Sequence, residues 1–391
     1  MPEPQVRFPA AFMRGGSSKG VLFHRRDLPE DRALWDPIFL AAIGSPDPYG
    51  RQLDGMGGGY SSVSKVVVMA PSARPDADVD YTFGQVTVGS PEVHYRTTCG
   101  NLMAAAAHFA LDEGLVVARA REATVRIFDV NTRKNVVARF ATEGGLAAVE
   151  GDSAVVGVAG SGAPVRLDFL DPGGAGTGRL LPSGAPRDAF EVPGLGGVDV
   201  SLVDAANPCV FVRAEDFGVQ GSESPAGLNA DSTLVARLEH IRQRAGVIMG
   251  FGPTPESIAA KNSPKVALVG RPRDCALLDG RTLPAEAMSL AVRLLTFGSF
   301  HPALPLTNAM CVSSAALIAG TVVHDLVALD PASPRRILVG TPAGVIPVEA
   351  DVERDNSETG WRVRSATVFN TARRLMQGDV LVPFSRLQAR A

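Results

Sequence analysis

Thr97-Thr98-Cys99-Gly100-Asn101-Leu102-Met103, continued by Ala104-Ala105-Ala106-Ala107-His108-Phe109-Ala110-Leu111-Asp112-Glu113 and closed by Gly114, is the stretch on which the fold turns. A thiol, a glycine and an asparagine able to cap precede a run of strong helix formers that a glycine ends, so a helix is predicted with Cys99 on its N-terminal lip. The unpaired N–H groups of a first helical turn, with the positive end of the dipole, suit a carboxylate or enolate oxygen and favour the thiolate of a nearby thiol. The alternative is a buried cysteine that merely precedes a helix, since free Cys is among the most buried residue types.

Strand signals surround this helix. Val6 to Phe12 and Val21 to Phe23 flank Met13-Arg14-Gly15-Gly16-Ser17-Ser18-Lys19-Gly20, a donor-rich hairpin tip suited to an anionic ligand, although it lacks the Walker spacing. Asp36 is placed to cap a short helix over 38–43, which Gly44 to Pro48 ends. Val79 to Val88, Glu92 to Arg96, Ala123 to Asp129, Lys134 to Ala141 and Gly145 to Ala159 are further β-rich stretches. The Pro/Gly-dense run 171–187 marks a hinge between an N-terminal domain, 1–186, and a C-terminal domain, 187–391, whose last strand is free to return to the first.

The second half starts over. Strand Gly197 to Val203, turn 204–208 and strand Cys209 to Val212 form another polar-tipped hairpin; Leu234 to Arg244 is a helix after the cap region 229–232, and Leu283 to Leu295 is a further expected helix. Asn308-Ala309-Met310 through Gly320 lies on Asn101-Leu102-Met103 through Gly114, so each half is expected to wrap strands around one central helix. At the position of Cys99 the second half carries Leu306.

Only five of the 38 basic residues are lysine (Lys19, Lys65, Lys134, Lys261, Lys265). Arginine does not serve as a proton-transfer base near neutral pH, whereas a desolvated lysine does. Lys65 stands between a glycine-dense loop, Asp54-Gly55-Met56-Gly57-Gly58-Gly59 through Ser64, and the β-branched run Val66 to Val68, where partial desolvation favours its proton-accepting form; the alternative is a packed stem with the ammonium reaching water. Lys265, after Ser263-Pro264 and before Val266, repeats that layout.

The 391 residues, 45% hydrophobic and 20% charged, are those of a compact protein with room for two cores. A formal charge of −3 gives no electrostatic case for nucleic acid or an anionic membrane. Met1 to Pro4 has no leader character, no run of about eighteen apolar residues occurs, and a cytoplasmic protein is expected. Four separated cysteines (Cys99, Cys209, Cys275, Cys311) argue for reduced thiols, and six scattered histidines give no metal-ligand spacing. No cofactor is called for, and a monomer or homodimer is expected.

Four motifs in order, Met13 to Gly20, Asp54 to Gly58 with Ser64-Lys65, Cys99-Gly100-Asn101, and Ala206-Asn207-Pro208-Cys209-Val210-Phe211-Val212, resemble the PrpF-like isomerases of the diaminopimelate-epimerase-like superfamily over nearly the whole chain. The resemblance implies an α/β (α+β) fold of two pseudo-symmetric domains, each a curled sheet around a helix, with the active site between them. It implies cofactor-free allylic double-bond shifts or cis/trans isomerisations of small unsaturated polycarboxylates: 2-methylaconitate, 4-oxalomesaconate, 3-methylitaconate or aconitate. The family's lysine falls on Lys65 and its cysteine on Cys99. The usual Gly-Asn-Cys-Gly-Asn is Thr97-Thr98-Cys99-Gly100-Asn101 here, Gly-Gly-Thr-Ser-Lys is Gly15-Gly16-Ser17-Ser18-Lys19, and the His-Lys-Ala segment is His301-Pro302-Ala303.

Epimerases of the superfamily set two cysteines against one α-carbon, and Leu306 in place of the second argues against racemisation unless Cys209 or Cys311 supplies it. A noncatalytic polycarboxylate-binding protein is the other alternative. Lys65 is the expected base, Cys99 its partner, and the N–H groups around Gly100 and Asn101 the expected oxyanion donors. Arg14, Ser17, Ser18, Ser64, Asn207, Lys265 and His301 are the expected substrate-binding residues.

Overall fold

The structure, a computed structural model of the chain, describes residues 4–95, 98–119, 121–259, 261, 263–296 and 298–387. Two compact units result, Met1–Asp168 with Phe369–Ala391 and Phe169–Val368.

In the first unit, strands β1 (Gln5–Gly15) and β2 (Ser18–His24) pair antiparallel with Arg14 opposite Lys19 and Gly15 opposite Ser18. The donor-rich stretch expected as a loop is therefore mostly strand, and only Gly16 and Ser17 form its tip. Gly16 supplies the left-handed φ of +51° that such tight hairpin turns demand. Helix α1 (Trp35–Ile43) ends at Gly44, φ +85°. Asp36 is not its cap: it sits inside the first turn and accepts the Tyr95 hydroxyl at 2.6 Å.

Strand β3 (Lys65–Pro71) runs parallel to β2, with Val66 beside Val21, and antiparallel to β4 (Val79–Val86), with Lys65 opposite Gln85. Of the strand expected over 92–96 only Val93–His94 forms; Arg96 and Thr97 lie outside the described residues. The expected strand over 145–159 is reduced to Leu146–Ala147 and Ser153–Ala154. The C-terminal strand Ala372–Pro383 returns to pair with β1.

At the centre lies α2 (Gly100–Asp112), which is apolar all round and buried from Leu102 to Leu111. Cys99, not Asn101, holds the position before its first turn, and no side chain caps it. The helix chain leaves through Gly114 at φ +72°.

The second unit repeats this plan. Strands Gly196–Ala205 and Asn207–Arg213 make a hairpin whose tip is Ala206 alone, held at φ +71°, a strained angle for a residue with a Cβ. Strand Lys265–Gly270 lies parallel to Asn207–Arg213, with Lys265 beside Cys209. The central helix is Leu306–Leu317, buried from Asn308 to Ala316. A second helix, Ser232–Ile248, packs its Leu234, Leu238 and Ile241 on the sheet and is capped by Asp231, whose carboxylate accepts from Leu234 N at 2.9 Å.

Two expectations fail here. The helix expected over 283–295 is instead strand Leu290–Thr296, paired antiparallel with Lys265–Gly270. Its residues 290–295 are all buried, and an apolar run covered on both sides carries no period that separates strand from helix. The Pro/Gly-dense run 171–187 lies inside the second unit. It folds on Asp204, whose Oδ2 accepts from Gly176 N at 2.8 Å, Thr177 N at 2.7 Å and Thr177 Oγ1 at 2.8 Å.

His108, on α2, is buried against the Phe140 ring at 4.7 Å, and its Nε2 has no partner. Burial, with Arg14 nearby, brings it from 6.5 down to about 4. An unfolded chain takes up that proton below about 6.5 while the folded one refuses it until about 4, so this group contributes stability that is lost as pH falls through that window. Chemical denaturation should show wild type losing on the order of 3 kcal/mol more than His108→Gln between pH 7 and pH 4.5.

Candidate active site

The first unit assembles its candidate residues on glycine backbone. A Cβ at Gly20 of β2 would lie 2.8 Å from Lys65 O and 3.0 Å from Leu102 Cδ1. The start of β3 and the first turn of α2 thus meet on one residue without a side chain. Cys99, 7% exposed, points its thiol at Ser18 Oγ, 3.7 Å away, and its carbonyl accepts the Tyr81 hydroxyl at 3.2 Å. Burial, with Cys99 and Asp129 nearby, holds Tyr81 well above its ordinary range, so it remains a hydrogen-bond donor at neutral pH.

Lys65 is 8% exposed; its Nζ donates to Gln85 Oε1 at 2.7 Å and lies 5.0 Å from the centroid of the Phe83 ring. The amine is thus held by one neutral acceptor and one aromatic face.

The hairpin tip is bolted to the same helix start. Asn101 Nδ2 donates to Ser17 Oγ at 3.1 Å, and Asn101 Oδ1 accepts from Asn370 Nδ2 at 2.9 Å. Arg14 Nη1 donates to Gly16 O, Thr371 O and Thr371 Oγ1, so it ties the tip to the C-terminal strand. Ser64 does not face this region. Wholly buried, its hydroxyl meets Gln52 Oε1 and Tyr60 O, each at 2.7 Å, and it anchors the glycine-dense loop.

In the second unit Asn207 Nδ2 donates to Asn308 Oδ1 at 3.0 Å, the counterpart of the Ser17–Asn101 contact. Lys265 Nζ donates to Thr296 Oγ1 at 2.8 Å, and burial lowers it to about 8. His301 Nδ1 lies against the Ala303 carbonyl and against Ala303 N, 3.0 Å away; burial lowers its pKa, the bond to the Ala303 carbonyl opposes this, and the charge of Lys265 adds to the lowering. Cys209 and Cys311 are fully buried, and burial pushes Cys209 up to about 12 and Cys311 well above its ordinary range. The central helix of this unit opens at Leu306, with Pro305 in the position that Cys99 holds before α2. Among the described residues no cluster of His, Cys, Asp and Glu could hold a metal ion.

Residues 5–383 match the family described as PrpF protein. The chain belongs to the PrpF family. It is 39% identical to 3-methylitaconate isomerase of Eubacterium barkeri, with 98% of this chain and 99% of that one covered. It is 37% identical to 2-methyl-aconitate isomerase of Shewanella oneidensis, covering 97% and 98%, and 37% identical to 4-oxalomesaconate tautomerase of Pseudomonas putida, covering 97% of each. The crystal structure of a methylitaconate-delta-isomerase superposes with a TM-score of 0.87 over 98% of both chains at 38% identity. A hydroxyproline epimerase from Agrobacterium vitis, at 10% identity and a TM-score of 0.52, shares the fold, covering 96% and 93%. The PrpF chain is an isomerase of the diaminopimelate-epimerase-like fold, as the motifs implied.

Three residues of this PrpF protein escaped sequence reasoning. Gln85, Asn370 and Thr296 carry no local motif, and only strand register brings Gln85 opposite Lys65, Thr296 next to the Lys265 pairing, and Asn370 to the start of α2. Asn370→Ala should cost about 1–2 kcal/mol in denaturant unfolding, because it strips Asn101 Oδ1 of its buried donor.

Proposed function

We propose that this protein catalyses a cofactor-independent 1,3-proton shift in a small unsaturated di- or tricarboxylate such as 4-oxalomesaconate or 2-methylaconitate, moving the double bond or interconverting cis and trans forms. The full-length kinship with relatives named for isomerising unsaturated polyacids carries this reading. With its cysteines reduced, a cytoplasmic setting fits the same reading.

Lys65, as the free amine, takes a proton from the sp³ carbon allylic to the double bond. The C–H electron pair moves into the allylic system and onto the conjugated carboxylate or keto oxygen, giving a dienolate. Backbone N–H groups at Gly100 and Asn101 receive that charge, and preorganised donors of this kind are commonly worth ~3 kcal/mol each in the barrier. The proton then returns at the far allylic carbon from Lys65 or from Cys99, whose thiol Ser18 orients. Electrons and protons balance with no added reactant.

Ser17, Asn207, Lys265 and His301 are assigned to the substrate's remaining carboxylates. Arg14 contributes by holding the hairpin tip in place. Amino-acid racemisation by a second thiol is disfavoured by the complete burial of Cys209 and Cys311.

Candidate polycarboxylates incubated in D₂O and followed by NMR should exchange allylic protons and isomerise. Lys65→Ala should lower exchange at least ~10³-fold while titration calorimetry still detects the ligand, and Cys99→Ser should slow it roughly 10- to 100-fold. Full turnover by Lys65→Ala would remove the base assignment.

A further inference from the structure

Lys65 stands at a strand start with its amine inside the protein, and something must decide where its lone pair points. Gln85 lies directly opposite in register and accepts one N–H of Lys65 at 2.7 Å. The amide cannot turn over: Gln85 Nε2 donates to Ser61 O and Ser64 O, each at 3.0 Å, which fixes Oε1 towards the amine. The Phe83 ring, two residues away on β4, lies 5.0 Å from the same nitrogen. Both neighbours interact favourably with an ammonium, and neither carries a full negative charge. Among the described residues Lys65 makes no ion pair. Titratable groups on the adjoining elements include Asp80 and Tyr81 of β4, the latter bonded to the Cys99 carbonyl, Cys99 before α2, and His94, which stands opposite Gln85 and lies against Glu92. On β2 they are Lys19, over the Phe12 ring, and His24, against Glu113.

The second unit repeats the device with different chemistry: Thr296, next in register on the antiparallel neighbour, gives its hydroxyl oxygen to Lys265 at 2.8 Å. In both units a buried strand-start lysine is held by a neutral acceptor from the opposing strand.

We infer that Gln85 is a positioning residue, which aims the Lys65 amine and sets how readily it takes and gives up a proton. This rests on the assignment of Lys65 as base in the proposed proton shift. Two near-isosteric substitutions test it with opposite signs. Gln85→Glu places a carboxylate on the amine, so the acid limb of the kcat/KM profile should move up by about one to two pH units. Gln85→Met removes the acceptor, so that limb should move down, with kcat reduced roughly tenfold and KM little changed. The Lys65 titration is read separately by NMR of ¹³C-dimethylated lysines, which is tractable with five lysines in the chain. Thermal melts establish that each variant folds, and the Met variant carries the test if the carboxylate disturbs the Ser61–Ser64 carbonyls.

Opposite displacements of both the Lys65 titration and the rate profile are the expected result. A Lys65 titration unmoved by either substitution overturns the inference. A titration that moves while the rate profile stays fixed overturns the base assignment instead, and with it the catalytic meaning of Gln85.

Discussion

The hairpin β1–β2 lies on the first turn of α2 because nothing stands between them. A Cβ at Gly15 would be 2.4 Å from Asn101 O, and one at Gly16 would be 2.4 Å from Asn101 Oδ1. Such distances admit no side chain, so the closeness of backbone to backbone is a requirement on sequence. Ser18 reaches the Cys99 thiol, Ser17 reaches Asn101, and β3 starts with Lys65 against Gly20 only if that approach is made. The alanine run of α2 works in the same direction. Small residues on every side let strands close around the helix, and each contact costs little conformational entropy because alanine has no rotamers to freeze.

This explains why the helix start remains chemically open. An ordinary helix would satisfy its first N–H groups with a side chain at the cap, but here Cys99 occupies that position and makes no such bond. Asn101, the residue that reads as a cap, has its amide drawn sideways to Ser17 and Asn370. The first turn is left without a side-chain cap, and the asparagine instead fixes the hairpin tip and the C-terminal strand to one point.

What was legible in the sequence follows from range. The Cys99 helix, the two hairpins and the lysines at strand starts are declared within about a dozen residues each, by capping residues, turn glycines and a change of hydrophobic period. Gln85, Asn370 and Thr296 are declared nowhere locally: their roles exist only through pairings with distant strands. The strand Leu290–Thr296 was missed for a related reason, since an apolar stretch buried on both faces presents no alternation. The run 171–187 looked like a hinge because glycine and proline mark turns of any kind. Asp204, which gathers its N–H groups, lies a full strand away.

The two units show which parts of the plan tolerate change. Each has a hairpin tip joined to an asparagine early in its central helix, by Ser17 in one and Asn207 in the other. Each has a lysine opening the parallel strand, answered by Gln85 or Thr296. The amide and the hydroxyl share only one property, a neutral acceptor oxygen delivered by the antiparallel neighbour. A carboxylate in either place would favour the cation, and an apolar residue would remove an acceptor from a buried amine. At the helix starts, by contrast, the units diverge, with Cys99 before one and Leu306 opening the other. The scaffold thus keeps the pairing of lysine and neutral acceptor in both units and varies the residue at the helix start.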